Sequence, residues 1–169
     1  MRRRIAISAL LLHLSPAAAA AQAAGGARLD TPSGFPVPRF VSLKDEETNC
    51  RIGPSFDHPV KFVFKRAGAP VMVIAESVDH WRKIKDPDGD ACWVHQTTLK
   101  GQSHVLVIAD TALHRRPDAS ARTTAMLGRG VLARLIKRRN GWVLVAADDI
   151  RGWADETKVW GGAIVAESP

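Results

Sequence analysis

The sequence predicts an all-β protein made of two small tandem barrels behind a cleavable leader. Three observations carry this. The chain repeats itself at an offset of about 60 residues, its apolar runs are short and bounded by turn residues, and no segment after the leader holds helical spacing for three turns.

The leader comes first. Arg2, Arg3 and Arg4 precede the apolar run Ile5 to Leu14, and the small-residue stretch PAAAAAQAAGG follows, which is the layout of a secretory signal peptide over residues 1–24. The apolar run is about ten residues long against the roughly 20 that cross a bilayer, so no membrane span is expected. The full chain carries 24 Lys plus Arg against 17 Asp plus Glu, a net +7. Removing the leader takes away three Arg and no acid, leaving about +4 on about 145 residues. Most of the basic excess is therefore an export signal, and nucleic-acid binding is not expected of the mature surface. The expected location is periplasmic or secreted.

The repeat appears when the segment from Asn49 to Leu99 is set beside that from Ala112 to Val159. NCRIGPS lies over ALHRRPD, with Pro54 over Pro117 at an offset of 63; Gly68 meets Gly130 at 62, Trp81 meets Trp142 at 61 and Trp93 meets Trp153 at 60. Order is kept while the offset drifts by three, as short loop deletions would produce. The expected organisation is a flexible lead at 25–37, a first domain at 38–100, a second at 101–160 and a loose tail at 161–169.

Within each copy, VMVIAE, HVLVIA, VLARLI and WVLVAA read as strands. Pro87-Asp88-Gly89-Asp90 reads as a tight turn, and Asn140-Gly141 is the dipeptide of a two-residue type I′ hairpin. Pro59 to Phe64 reads as a short turn or 3₁₀ piece. Short strands with a Trp on two of them suit a small barrel or a pair of orthogonal sheets. Trp81, Trp93, Trp142 and Trp153 then serve either as packing mass or, one per copy, as a partly exposed groove residue.

The pattern Asn49, Arg51, Gly53, Pro54, then Gly68, Pro70, Val71, then Trp81, then Trp93, Val94 resembles the bacterial SH3 domain. The preceding PVPRFVSL (Pro36 to Leu43) is similar to exported alphaproteobacterial proteins with SH3-like domains. The second copy keeps the Pro, Gly and Trp framework but has Ala112, His114 and Arg116 where the opening motif has Asn, Arg and Gly. The resemblance implies two tandem SH3-like barrels and a non-catalytic role in recognising peptidoglycan or its peptides, with a groove near Arg51 to Asp57 and beside Trp81 or Trp93. The alternative is an adaptor or structural protein that binds an envelope protein. Eukaryotic SH3 domains take polyproline helices in an aromatic groove, and a chain without Tyr is not expected to reproduce it.

Two Cys in an exported chain point first to a disulfide. Cys50 stands where the family usually has an aliphatic residue and Cys92 where it usually has Gly. The first and last strands of such a barrel approach each other, so the resemblance implies a Cys50–Cys92 bridge, worth about 3–4 kcal/mol in the chain-entropy model. Cys50, His58, Cys92 and His95 are also zinc-ligand types, but residues three apart on a strand face opposite ways. Neither a metal nor a cofactor is expected. The pairs Glu46–Glu47 and Asp148–Asp149 read as solvated turns, no phosphate loop or nucleophile elbow is present, and no enzyme activity is expected. Lys137-Arg138-Arg139 leads into Asn140-Gly141 as a basic hairpin tip. Such a tip either keeps a strand edge from pairing or attracts an anionic partner.

Overall fold

The computed structural model describes residues 28–163. The leader reading at 1–24 and the end of the tail lie outside them. The described chain is all-β and forms two seven-stranded sheets. The first contains β1 (Arg39–Leu43), β2 (Thr48–Arg51), β3 (Val60–Phe64), β4 (Pro70–Glu76), β5 (Trp81–Lys85), β6 (Ala91–His95) and β7 (Leu99–Gly101). The second contains β8 (His104–Val107), β9 (Thr111–His114), β10 (Thr123–Leu127), β11 (Leu132–Arg139), β12 (Trp142–Ala147), β13 (Ile150–Asp155) and β14 (Val159–Trp160).

The strand orders are β3-β2-β6-β5-β4-β1-β7 and β10-β9-β13-β12-β11-β8-β14. Adding seven to each label of the first gives the second, so the duplication read in the sequence is a duplication of topology. The shared glycines explain one of its corners. Gly68 and Gly130 have φ of 80° and 88°, in the left-handed region that favours glycine. Each turns its N–H to the end of the first strand of its sheet, Leu43 O and Val107 O, both at 2.8 Å. Asn140 and Gly141, with φ of 46° and 78°, form the expected β11–β12 hairpin.

Each barrel closes across a short seam. β2 meets β6 at one registered position, Arg51 opposite Trp93, and β9 meets β13 at one, His114 opposite Trp153. One residue back along both strands, alternation turns the side chains inward. In the first sheet these are Cys50 and Cys92, joined by a disulfide with Cα atoms 5.5 Å apart. In the second they are Leu113 and Gly152, and a Cβ added to Gly152 would lie 2.7 Å from that of Leu113. One module fills the seam with a bridge, the other with a large side chain facing a residue that has none. Around each seam lies an apolar cluster, with Leu43, Val71, Val73, Ile84 and Val94 in the first and Val105, Val107, Val143, Val145 and Ala154 in the second.

Three expectations are corrected. Val60–Phe64 is a strand, paired with β2 over Thr48 to Arg51, because Pro59 stands just outside the ladder, where its missing N–H costs nothing. The lead is docked from Arg28 onward. Arg28 and Val37 exchange backbone hydrogen bonds of 2.8 and 3.0 Å, and Val37 joins the first apolar cluster. The tail begins later than 161, since Gly161 and Gly162 are buried and their carbonyls accept hydrogen bonds from Arg138 at 3.0 and 2.7 Å.

The docked strap, residues 28–38, is held by one carboxylate. Glu76, at the end of β4, accepts from Ser33 N (2.9 Å) and Ser33 Oγ (2.8 Å), from Arg39 (2.6 Å), and pairs with Arg82 Nε (3.1 Å). Burial alone would push its pKa up, but the hydrogen bonds from Ser33 and Arg39 outweigh that and hold it below the ordinary carboxylate value. A depressed carboxyl contributes stability above its unfolded pKa and loses it as pH falls toward the folded one. We therefore expect Glu76 to cost the protein stability as pH falls below the ordinary Glu value of about 4.3. The acid limb should be flatter in Glu76→Gln, with urea midpoints measured across pH checking both; parallel limbs would contradict this role for Glu76.

Candidate functional site

The strands that close each barrel also set out its outer face. On β5 and β6 the inward residues are Arg82, Ile84, Cys92 and Val94, so Trp81, Lys83, Trp93 and His95 face out, with Trp81 opposite His95 and Lys83 opposite Trp93. Arg51, across the seam from Trp93, continues the same row on β2. The row therefore carries an indole between two basic side chains.

The β2–β3 loop folds over this face. Phe56 meets Trp81 edge-on with ring centroids 4.8 Å apart, and His95 lies 5.4 Å from both rings. Phe56 is the outermost of the three at 67% exposed, while Trp81 beneath it is 4% exposed. Arg51 holds the loop in place: its guanidinium donates to His58 O at 2.7 Å and lies 5.9 Å from the Phe56 ring centre. Gly53 lies against the His58 ring, where any Cβ would overlap it. Asp57 is exposed, and its backbone N–H donates to Ser55 Oγ at 3.2 Å.

Of the residues expected at a groove, the structure thus brings Arg51 beside Trp93 and places Trp81 under a lid. Asp57 stands off in solvent. Phe56 and His95 complete the cluster; the sequence offered His95 only as a zinc-ligand type and Phe56 only as part of the loop from Arg51 to Asp57. Alternation from Trp93 would have found His95, while Phe56 depends on how the loop folds over.

In the second module Trp153 takes the place of Trp93. It is 7% exposed and lies beneath Lys137, whose ammonium is 5.4 Å from the ring centre. The surrounding cleft, about 320 Å³, is lined by His114, Arg115, Thr124, Lys137, Leu144, Arg151, Gly152 and Trp153. Two neighbouring clefts extend it. One of about 480 Å³ is lined by Arg115, Arg116, Ala121 and Arg122, and one of about 440 Å³ by Arg116, Pro117, Asp118, Arg139 and Asn140.

The basic triplet divides by strand alternation. Lys137 and Arg139 face these clefts, while Arg138 points the other way and is used up on Gln102 and the carbonyls of Gly161 and Gly162. The anionic-partner role expected of all three residues therefore has two of them available, and Arg115, Arg116, Arg122 and Arg151 join them.

The electrostatics of the two modules differ. All five ion pairs among the described residues lie between positions 28 and 90. In the second module three carboxylates cap turns instead. Asp110 accepts from Arg129 N, Asp118 from Ser120 N and Asp155 from Thr157 N, each at 2.8 Å. The cleft-lining cations are left without a carboxylate within 4 Å among the described residues, so their positive potentials add over this face. Cys50 and Cys92 serve the seam, with both sulfurs in the bridge.

A family model described as "Bacterial SH3 domain" matches the chain twice, over residues 44–101 and 109–161. Among solved structures, NlpC2 from Trichomonas vaginalis is similar at 8% identity and a TM-score of 0.34, over 73% of this chain and 48% of that one. NlpC1 from the same organism is similar at 10% identity and a TM-score of 0.32, over 73% and 45%. The chain spans about half the length of these two structures. No curated protein matches it.

The Phe56 lid gives a direct test. Replacing Phe56 with Ala should expose the Trp81 indole, shifting fluorescence emission to longer wavelength and raising acrylamide quenching. The loss of stability should be about 1–2 kcal/mol, the scale of one aromatic pair plus partial burial. Unchanged emission and quenching would mean that Phe56 does not shield Trp81.

Proposed function

This chain belongs to the bacterial SH3 domain family, and from that premise we propose that it is an exported, non-catalytic binding protein whose two modules recognise peptidoglycan or its peptides in the cell envelope. The observation that carries the reading is the cationic face of the second module, where Arg115, Lys137, Arg139 and Arg151 border clefts beside an indole, with no carboxylate partner among the described residues. Stem peptides end in carboxylates and repeat along the polymer. Each exposed contact is worth only about 0.2–1 kcal/mol, but a repeating ligand engages many at once and converts weak contacts into avidity. Two modules in one chain extend the same effect.

The binding is electrostatic in this reading, so it weakens as salt rises. The first module contributes shape: the Phe56–Trp81–His95 cluster, steadied by Arg51, offers the exposed Phe56 ring to a sugar ring or a short peptide. The non-catalytic part rests on the two Cys being committed to a structural bridge and on Asp110, Asp118 and Asp155 being committed to turns.

A second reading has its own support. Ile52 and Phe56 are 58% and 67% exposed on the same loop, an apolar tip that suits a protein partner of the adaptor kind.

Sedimentation of the mature protein with purified sacculi decides between them. At low salt most of the protein should pellet, and it should be released at about 0.5 M salt. The triple variant Lys137→Glu, Arg139→Glu, Arg151→Glu should bind at least about tenfold more weakly, and Phe56→Ser should matter less. Protein that stays in the supernatant at low salt would overturn wall recognition, and retention of a partner from envelope extract through Ile52 and Phe56 would favour the adaptor.

A further inference from the structure

A fourth cleft lies away from both outer faces, between the docked strap, β1 and β7 of the first module. It measures about 440 Å³, within the range of small-molecule sites. Phe35, Phe40 and Leu99 give it apolar walls, and Arg39, Arg82 and Lys100 bring cationic groups to it. None of its ten lining residues is acidic.

Arg82 is the unusual member. It sits on the inward face of β5, opposite Val94, with its side chain only 6% exposed. The fully buried carboxylate of Glu76 serves both Arg82 and Arg39, so one negative charge faces two positive ones. Contacts to Glu76, Trp81 O and Gln96 Oε1 engage Arg82, and contacts to Pro36 O and Glu76 engage Arg39. Each guanidinium has five N–H groups, so both keep donors in reserve. A surplus of one buried positive charge remains beside an apolar space.

The second module supplies the control. In the matched register of β4–β5 and β11–β12, Val143 stands at the position of Arg82 and Arg138 at that of Glu76. The same barrel therefore closes without this charge cluster. In the first module the carboxylate of Glu76 also anchors the strap through Ser33, a task that needs one negative charge but not two cations beside it, whose burial is costly.

We propose that this cleft is a binding site for a small amphiphilic carboxylate, whose apolar body lies against Phe35, Phe40 and Leu99 and whose carboxylate neutralises the surplus charge of Arg39 and Arg82, with the exposed Lys100 beside it. A monoanion matches that surplus, and carboxylates suit guanidinium forks. The chemistry is shared by the C-terminus of an apolar peptide and by a free aryl or alkyl acid. The site is separate from the polymer-binding reading and stands whether or not sacculi are bound.

The test uses the mature protein, titrated by NMR and calorimetry with three probes: N-acetyl-leucyl-leucine, its C-terminal amide, and phenylbutyrate. Saturable binding of either acid, with the amide at least about tenfold weaker, supports the site, and the tighter acid identifies the source. Lys100→Glu and Phe35→Ser, both exposed positions that leave Glu76 and Arg82 in place, should each weaken the acid at least about fivefold without changing sacculus sedimentation. Equal binding of acid and amide, displacement by equimolar inorganic phosphate, or no saturation by about 10 mM would overturn the proposal.

Discussion

Each barrel is closed by very little backbone. A single registered pair joins β2 to β6 and β9 to β13, so the seam is held by what its inward side chains do. In the first module a covalent bond spans it, and in the second Leu113 presses into the space that Gly152 leaves open. A Cβ at Gly152 would collide, and a small residue in place of Leu113 would leave a cavity whose cost grows with its volume. The remaining strand pairings each have two or more registered positions, four of them interrupted by a bulge.

The seam also fixes the outer face. Because side chains alternate, the residue after each inward seam position must point out, which puts Arg51 beside Trp93 and His114 beside Trp153. The two copies then use the same row differently. The first covers its inner indole with Phe56 and binds its loop through Arg51. The second leaves Lys137 over its indole and spends three carboxylates on turns. One framework gives an apolar edge in one module and a positive field in the other.

The landmarks that were legible in the sequence are those whose meaning is local or paired. Glycines at positive φ, Asn140-Gly141, and the Trp and Pro offsets report a backbone requirement wherever they occur, and two departures from one pattern, Cys50 and Cys92, explain each other. What escaped depends on distant partners. The strap, rich in Pro, Gly and Ser, reads as loose until Glu76, more than 40 residues away, is seen to bind Ser33. Val60–Phe64 is a strand through its ladder with β2, and Pro59 in front of it obscures that. Lys137-Arg138-Arg139 reads as one charge run, yet a period of two divides it, and Arg138 turns to Gly161 and Gly162.

The duplicated seam can be tested at its two inward fillings. Gly152→Ala should destabilise the protein by about 1–3 kcal/mol, because its Cβ would meet that of Leu113 at 2.7 Å, and the double variant Cys50→Ala, Cys92→Ala should destabilise it by about 2–5 kcal/mol. Urea midpoints of the two variants against the parent measure both. If either variant unfolds at the parent's midpoint, the inward side chains do not hold the seams and the account of their common construction fails.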